Sequence, residues 1–293
     1  ATSCCSSSPR PAPHKPPKDN LMTELLQYAF FQNAIIGILI ISIAAAIIGT
    51  YVMTRRMVFI SGGITHACFG GLGLGYYLGV SPIAMAAAFA VASSLGVEWL
   101  ASRFRVREDS AIAVVWALGM AVGVLFVFLT PGYVPELNSF LFGNILTIST
   151  SDLWAFGVFT AVLLLFFVLF YRKIVACAFD RDFAKVSGLP VRFISYAMTV
   201  FVAVCIVLTI RLVGIMLLMS MLTLPQMIAE TSCSRMRPMM TASVAIAMTC
   251  SLAGLLIAAV IDVPCSAIIV ILMVAVYFSA RLIRAMRIRR AMQ

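Results

Sequence analysis

The chain has 293 residues, of which 62% are hydrophobic and only 11% are charged, whereas about a quarter of the residues in an ordinary soluble domain are charged. This composition excludes a soluble globular protein. The net charge of +10 does not indicate nucleic-acid binding, because the basic residues lie between apolar stretches, where they indicate membrane topology. The 8 cysteines show no metal-finger spacing, so neither a disulfide framework nor a structural zinc site is predicted.

Residues 1–21 are predicted to be a disordered tail, an extension that is not part of the fold. They are rich in Ser and Pro and contain no apolar run, so they bury too little surface to become ordered. Residues 22–293 are predicted to form a single transmembrane domain.

Nine apolar stretches follow the tail, and each is long enough to cross a hydrocarbon layer about 30 Å thick as a helix. The fold class predicted is therefore all-α, a polytopic membrane protein with about nine transmembrane helices. The stretches are approximately 27–53, 58–79, 82–101, 111–130, 153–171, 193–210, 212–229, 239–261 and 264–282.

The basic residues predict the orientation of these helices. If successive loops alternate between the two sides of the membrane, 17 of the 21 Lys and Arg residues fall on one face, and outside the tail only Arg211 falls on the other. By the positive-inside rule the basic face is cytoplasmic. The C-terminus is then cytoplasmic and the N-terminus lies outside.

The second stretch combines a glycine face with the intramembrane residue His66. Gly71, Gly75 and Gly79 recur every four residues, a spacing that lets another helix approach closely, and His66 points away from that face. An imidazole within a membrane normally faces a water-filled cavity or the bundle interior, so His66 is predicted to line a substrate or proton path. The alternative is a histidine that only bonds neighbouring helices together.

Other polar and sulfur-containing residues in the spans are interpreted as structural. Glu98, Glu230 and Arg211 lie near span ends and are expected to reach the membrane interface. Pro225 removes a backbone donor, so the seventh span is predicted to be kinked or broken near it. Met216, Met219 and Met221 are interpreted as packing residues rather than as a copper site.

The segment between the fifth and sixth spans is predicted to contain a short amphipathic helix. Phe179, Phe183 and Val186 fall at i, i+4 and i+7 on one face, and Gly188 with the following proline ends the helix. The helix either rests on lipid headgroups or docks onto a cytoplasmic partner.

No sequence feature predicts an enzyme. No P-loop occurs in the sequence, and no Ser/His/Asp or paired-carboxylate pattern is present. Energy for transport is therefore expected from a separate subunit.

Four segments resemble the permease subunits of bacterial ABC importers for zinc, manganese and related divalent metals. The segment RRMVFISGGITHACFGG resembles the family's Gly-Asp-x-x-Ser-His-Ala run, with His66, Ala67 and Gly71 at the matching places. SFLFGNILTIS (139–149) resembles its Leu-Phe-Gly-x-Ile-Leu segment. FDRDFAKVSGLPV matches the family's coupling helix, with Asp180, Ala184 and Gly188 in place. LVGIMLLMSMLTLPQMIAE matches a run that ends in Pro-x-x-x-Ala.

The resemblance implies an importer of the metal/cobalamin-type architecture in the bacterial cytoplasmic membrane. Its expected partners are cytoplasmic ATPase subunits, a second permease copy or near-copy, and an extracytoplasmic metal-binding protein. It implies no permanently bound cofactor, because the metal ion is the cargo: zinc, manganese or iron. It also identifies residues 179–188, here named the coupling segment, as the contact with the ATPase.

One departure from the family pattern bears on the cargo. The family usually has aspartate four residues before the histidine, and this chain has Gly62. Manganese prefers oxygen ligands, so the missing acid tilts the expectation slightly away from manganese. Two rival functions remain: an ABC permease for a metal chelate such as a siderophore or cobalamin, and a secondary transporter or channel with His66 as proton relay. A membrane enzyme is a more distant rival.

Overall fold

The computed structural model describes residues 27–104, 106–131, 148–261 and 263–291, and within these ranges the chain is helical with no β-strand. The tail 1–21 and most of the segment 139–149 lie outside them. The described helices, in chain order, are α1 (Ala29–Thr54), α2 (Phe59–Leu78), α3 (Pro82–Phe104), α4 (Glu108–Leu129), α5 (Thr150–Phe179), α6 (Arg181–Val186), α7 (Val191–Glu230), α8 (Met236–Ile261) and α9 (Cys265–Ala291).

Seven of the described helices are long and apolar enough to cross a membrane: α1, α3, α4, α5, α7, α8 and α9. The all-α, multi-pass fold class is confirmed. Helix α2 has 20 residues, but glycines and polar residues lower its mean hydropathy. It is packed between α3 and α4, so protein rather than lipid covers much of it.

Helix α7 contains two of the predicted spans. A straight helix of its 40 residues would be about 60 Å long, twice the thickness of the hydrocarbon layer. Its backbone leaves helical geometry at Gly214, with φ 80° and ψ 172°, a conformation that glycine adopts without the penalty a side chain would bring.

The two ends of α7 lie at the same end of the bundle. Ser195 bonds to Arg55, which follows α1, and Glu230 lines a cavity together with the neighbouring Arg56. Arg211, near the middle of α7, instead pairs with Asp152 at the start of α5. The chain therefore reverses direction at Gly214, and residues 191–213 and 215–230 are separate crossings.

The kink or break predicted near Pro225 stays a prediction, because the reversal at Gly214 lies instead at the boundary between the predicted sixth and seventh spans. Pro225 lies inside the helical part of α7 and is buried, and the departure from helical angles is at Gly214. The reversal needs a positive φ, which proline cannot adopt and glycine can. Beside Pro225, the buried Gln226 donates from Nε2 to the Ala45 carbonyl oxygen of α1 at 3.2 Å and fixes this half of α7 against α1.

The bundle is built around α1 and α7. Of the most apolar window of each helix, 72% is buried in α1 and 67% in α7, against 17% in both α4 and α9. The outer sides of α4, α5 and α9 carry large exposed apolar side chains, such as Leu118, Phe128, Leu165 and Phe278. These surfaces are suited to lipid or to another membrane chain.

Candidate functional site

The glycines of α2 bring two neighbouring helices into backbone contact. A Cβ at Gly71 would overlap the Met85 carbonyl oxygen of α3, and one at Gly75 would lie 2.7 Å from Cα of Pro82. The predicted glycine face at these two positions therefore lies against α3. Close backbone approach of this kind requires the absence of a side chain.

A second glycine face, which the sequence analysis did not single out, lies against α4. A Cβ at Gly73 would overlap the carbonyl oxygen of Gly123, and one at Gly70 would lie 2.9 Å from the carbonyl oxygen of Gly119. The spacing of Gly119 and Gly123 in α4 was a signal that could have revealed this contact. Helix α2 is therefore enclosed by α3 on one side and by α4 on another.

The structure gives Gly79 a different role from the helix packing that the sequence predicts for it. A Cβ there would meet no atom of the described residues within 4 Å, and Gly79 caps the C-terminus of α2 with φ 66°. The left-handed conformation, rather than helix packing, explains glycine at this position.

His66 is half-buried on the side of α2 nearest α4. Its Nδ1 lies 2.7 Å from the carbonyl oxygen of Gly62, one turn earlier in the same helix. Its ring stacks on the exposed Trp116 of α4, with 4.4 Å between centroids and 20° between planes. The histidine thus bonds to its own helix and rests on a neighbouring aromatic ring.

The hydrogen bond assigns the tautomer of His66. A carbonyl oxygen only accepts, so Nδ1 donates, and the Nε2 of the neutral ring keeps its lone pair. This is the arrangement in which a backbone oxygen orients a histidine for metal binding. Within the described residues, no group of three or more His, Cys, Asp or Glu side chains could hold a metal ion.

Gly62, one turn before His66 in α2, also lies close to Trp116 of α4. A Cβ there would meet Met219 Cε at 3.1 Å and the Trp116 ring at 3.8 Å. Met219 therefore contacts the position where a side chain at residue 62 would begin. Met221 is fully buried and Met216 is half-exposed.

The coupling segment presents an uncovered apolar face. Helix α6 begins after Asp180, whose side chain accepts from the backbone N–H groups of Asp182 and Phe183. Phe179 and Phe183 are each 65% exposed and Val186 is 90% exposed. Phe179 is the last residue of α5 rather than part of α6, and Gly188 ends the segment with φ 72°. Ala184, by contrast, is fully buried, so it holds α6 to the bundle.

Beneath the coupling segment lies a partly buried set of four charged side chains and one serine hydroxyl, here named the ion-pair network: Arg55, Glu98, Glu108, Arg181 and Ser195. Arg181 lies 2.6 Å from Glu108 and 3.0 Å from Glu98. Arg55 lies 2.7 Å from the same Glu108 oxygen. The Ser195 hydroxyl donates to Glu98 at 2.8 Å. Five parts of the chain, the ends of α1 and α3 and the starts of α4, α6 and α7, therefore meet here.

The network corrects the interfacial role predicted for Glu98. Its side chain is only 7% exposed and bonds to Arg181 and Ser195, so it is held by partners inside the bundle instead of extending outward. Burial lowers the pKa of Arg55, but attraction to Tyr51 and Glu108 outweighs burial and the net shift of its pKa is upward. Periodicity could not find these contacts because they join residues far apart in sequence.

A cavity of about 860 Å³ opens at the same end of the bundle. Residues that line it include Arg56, Phe179, Glu230, Met236 and Arg281. At the opposite end, Arg211 and Asp152 pair at 3.0 Å, and the Asp152 side chain also caps α5 together with Ser149. His66 lies on α2 between these two ends.

Comparison with known proteins gives consistent matches over most of the chain. A family described as the ABC 3 transport family matches residues 27–284. A probable metal transport system membrane protein of Chlamydia pneumoniae is 35% identical over 238 residues, which cover 79% of this chain and 81% of that protein. The manganese transport system membrane protein MntC of Halalkalibacterium halodurans is 29% identical over 248 residues, 85% of each chain.

A solved structure has a similar fold. The structure of PsaBC from Streptococcus pneumoniae in complex with Fab matches with a TM-score of 0.77 and 25% identity, and the match covers 89% of this chain and 94% of that one. The similarity therefore extends over most of the chain.

Proposed function

The chain belongs to the ABC 3 transport family, and on that premise we propose that it is the permease subunit of an ATP-driven importer for a divalent transition-metal ion. Two similar proteins are named as a probable metal transporter and a manganese transporter, which supports the cargo class. A member of a transport family is a transport subunit rather than an enzyme. ATP hydrolysis is assigned to separate cytoplasmic ATPase subunits.

His66 is the observation that carries the proposal. Its Nδ1 is held by a backbone oxygen, so Nε2 is free to bind a metal ion. Imidazole nitrogen is a good ligand for zinc and iron, whereas manganese would need oxygen ligands as well. One nitrogen from one chain cannot complete a tetrahedral shell. An ion is therefore held weakly enough to move on, as transport requires.

A second permease copy would bring a second His66 to a shared path. The exposed apolar sides of α4, α5 and α9 leave room for such a contact. An extracytoplasmic binding protein would deliver the ion at the end of the bundle that contains Arg211 and Asp152. This orientation follows the positive-inside rule and places the C-terminus in the cytoplasm of a bacterium.

Transport by the complete complex tests this function. We expect proteoliposomes containing the permease and its ATPase, supplied with the binding protein, to accumulate manganese, zinc or iron(II) ions only when ATP is present. Each ion is offered alone and then in competition with the other two, since nitrogen and oxygen ligands favour different ions. Uptake driven by a proton gradient without ATP would overturn the proposal. The proposal would also be overturned if a metal chelate inhibited uptake by competition and free metal ions did not.

The double variant Phe179→Ser with Phe183→Ser is expected to separate the permease from its ATPase. Both rings are exposed in the chain alone, and burial of two aromatic side chains in a partner groove is worth roughly 3 kcal/mol or more. Co-purification of the ATPase and ATP-dependent uptake should both fall. The control is Phe193→Ser, an exposed ring on α7 outside the coupling segment. Normal co-purification with normal uptake in the double variant would refute the docking role.

A further inference from the structure

The ion-pair network joins the coupling segment to the spans through a single side chain. Arg181 is the first residue of α6, and its guanidinium reaches Glu98 of α3, Glu108 of α4 and Ser195 of α7. Glu108 Oε1 accepts from both Arg181 and Arg55. A shift of Arg181 therefore changes its distance to carboxylates on two different helices and also affects the end of α1.

We infer that Arg181 is a positioning residue that links movement of the coupling segment to movement of α3 and α4 during transport. The inference rests on the proposed function, in which the ATPase contacts the coupling segment. Phe183 and Val186 of that segment are exposed and Phe179 lines the cavity at the end of the bundle, whereas the Arg181 side chain bonds to residues of the spans. Helix α6 thus has one side for a partner and one side for the spans.

The geometry of arginine suits this role. The planar guanidinium offers several fixed donors, so it can bond two carboxylates at once and set the angle between them. Arg181 uses Nη1 for Glu108 and Nη2 for Glu98. A lysine in its place would have one mobile ammonium group and no such fork.

A contribution to stability alone is a weak explanation for the presence of the ion-pair network. Desolvation of buried charges offsets much of their attraction, and apolar residues of similar volume often replace a buried ion pair without loss. What a partly buried network of this kind does provide is a defined relative position of the helices that it joins. The pair Lys185–Asp182 on the same segment is different, because both side chains are largely exposed and three residues apart, and such pairs contribute little.

The charges of the network balance. Two arginines face two glutamates among the described residues, so removal of Arg181 alone leaves one arginine with two carboxylates. Removal of one charge of each sign restores the balance but still cuts the link to the coupling segment. This difference allows electrostatic stability and positioning to be tested separately.

The first test is Arg181→Met in the complete complex of permease, ATPase and binding protein. Methionine retains much of the length of the side chain but has no donor. We expect ATP hydrolysis to continue while the number of metal ions transported per ATP falls about tenfold, the effect of a coupling free energy of ordinary size. The matched control is Arg192→Met, an exposed arginine at the start of α7, which should leave the ratio unchanged.

The second test is the double variant Arg181→Met with Glu98→Gln, which keeps the network neutral. We expect normal assembly and thermal stability with the same low number of ions per ATP as the single variant. A wild-type ratio in the double variant would overturn the inference, because charge balance would then be the whole role of Arg181. Failure of both variants to assemble would also overturn it, since the network would then be a requirement for folding.

Two comparisons separate this inference from the proposed function. If the wild-type complex shows no ATP-dependent metal uptake, the proposed function fails. If the wild type transports and Arg181→Met transports with the same number of ions per ATP, only the positioning role of Arg181 fails. Conservative Arg181→Lys adds a third measurement, and we expect it to assemble normally but to recover the ratio only in part, because lysine lacks the fork.

Discussion

Gly73→Ala is expected to destabilise the folded permease by forcing α2 away from α4. The added Cβ would overlap the carbonyl oxygen of Gly123 and lie 3.0 Å from its Cα, and both atoms belong to the backbone of α4. A backbone cannot turn aside as a flexible side chain can, so α2 and α4 must separate. Overpacking of this kind costs about 1–3 kcal/mol, and occasionally more.

The measurement is the midpoint of thermal unfolding, together with the yield of monodisperse protein, in one detergent. The matched control is Gly157→Ala in α5, where a Cβ would meet no described atom within 4 Å. Alanine has the higher helix propensity, by about 1 kcal/mol, so the control should unfold at the same temperature or higher. Equal midpoints for wild type and Gly73→Ala would show that the contact between α2 and α4 is looser than the structure indicates.

His66→Ala is expected to abolish most metal uptake at limiting metal concentration without affecting assembly. The variant removes the nitrogen proposed as the ligand, and loss of even an outer partner of a metal ligand lowers metal affinity or activity roughly 10- to 100-fold. Initial uptake rates at several metal concentrations measure the effect. The amount of permease in the membrane and its co-purification with the ATPase should stay at wild-type values.

His66→Phe distinguishes ligand chemistry from packing. Phenylalanine supplies a ring that can stack on Trp116 as the imidazole does, but it has no nitrogen. If His66 binds the ion, His66→Phe should lose uptake as fully as His66→Ala. Normal uptake with phenylalanine would contradict the proposed role and leave the ring as a packing element only.

The membrane spans could be predicted from the sequence because burial in lipid requires about 20 consecutive apolar residues. The coupling segment was also visible, since its apolar side chains recur at helical spacing. In the structure, Phe183 and Val186 are exposed together with Phe179. The hydrogen bonds of Asp180 that begin α6 follow the usual preference for aspartate before a helix.

Some features depend on contacts between distant residues and could not be predicted in detail. The spacing of the apolar stretches predicts a boundary between the sixth and seventh spans near residue 211, but the residue at which the chain reverses, Gly214, is visible only in the structure. A glycine reveals its positive φ only once the directions of both helices are known. Gly79 fits the four-residue repeat of Gly71 and Gly75, but it ends the helix instead of packing. The repeat alone does not show where α2 stops.

Glu98 shows that local sequence patterns also fail to identify the distant partners of charged residues. Its place near the end of an apolar stretch predicts a side chain that reaches the interface, and the structure instead buries it against Arg181, a residue 83 positions away along the chain. Hydropathy measures the cost of leaving a charge in lipid, but it does not reveal which partner offsets that cost. Only the fold brings Arg181 from the coupling segment to α3.

The sequence by itself determined that this chain crosses a membrane many times, that its basic residues gather on one side, and that a histidine lies within a glycine-rich span. These properties depend on composition and on spacing within one helix, and they follow from the energetics of lipid and from helical geometry. Only the tertiary structure decided which helices the glycines touch, which aromatic ring His66 stacks on and which charges meet beneath the coupling segment. Each of these depends on atoms from separate helices, whose arrangement is set by the packing of the whole bundle.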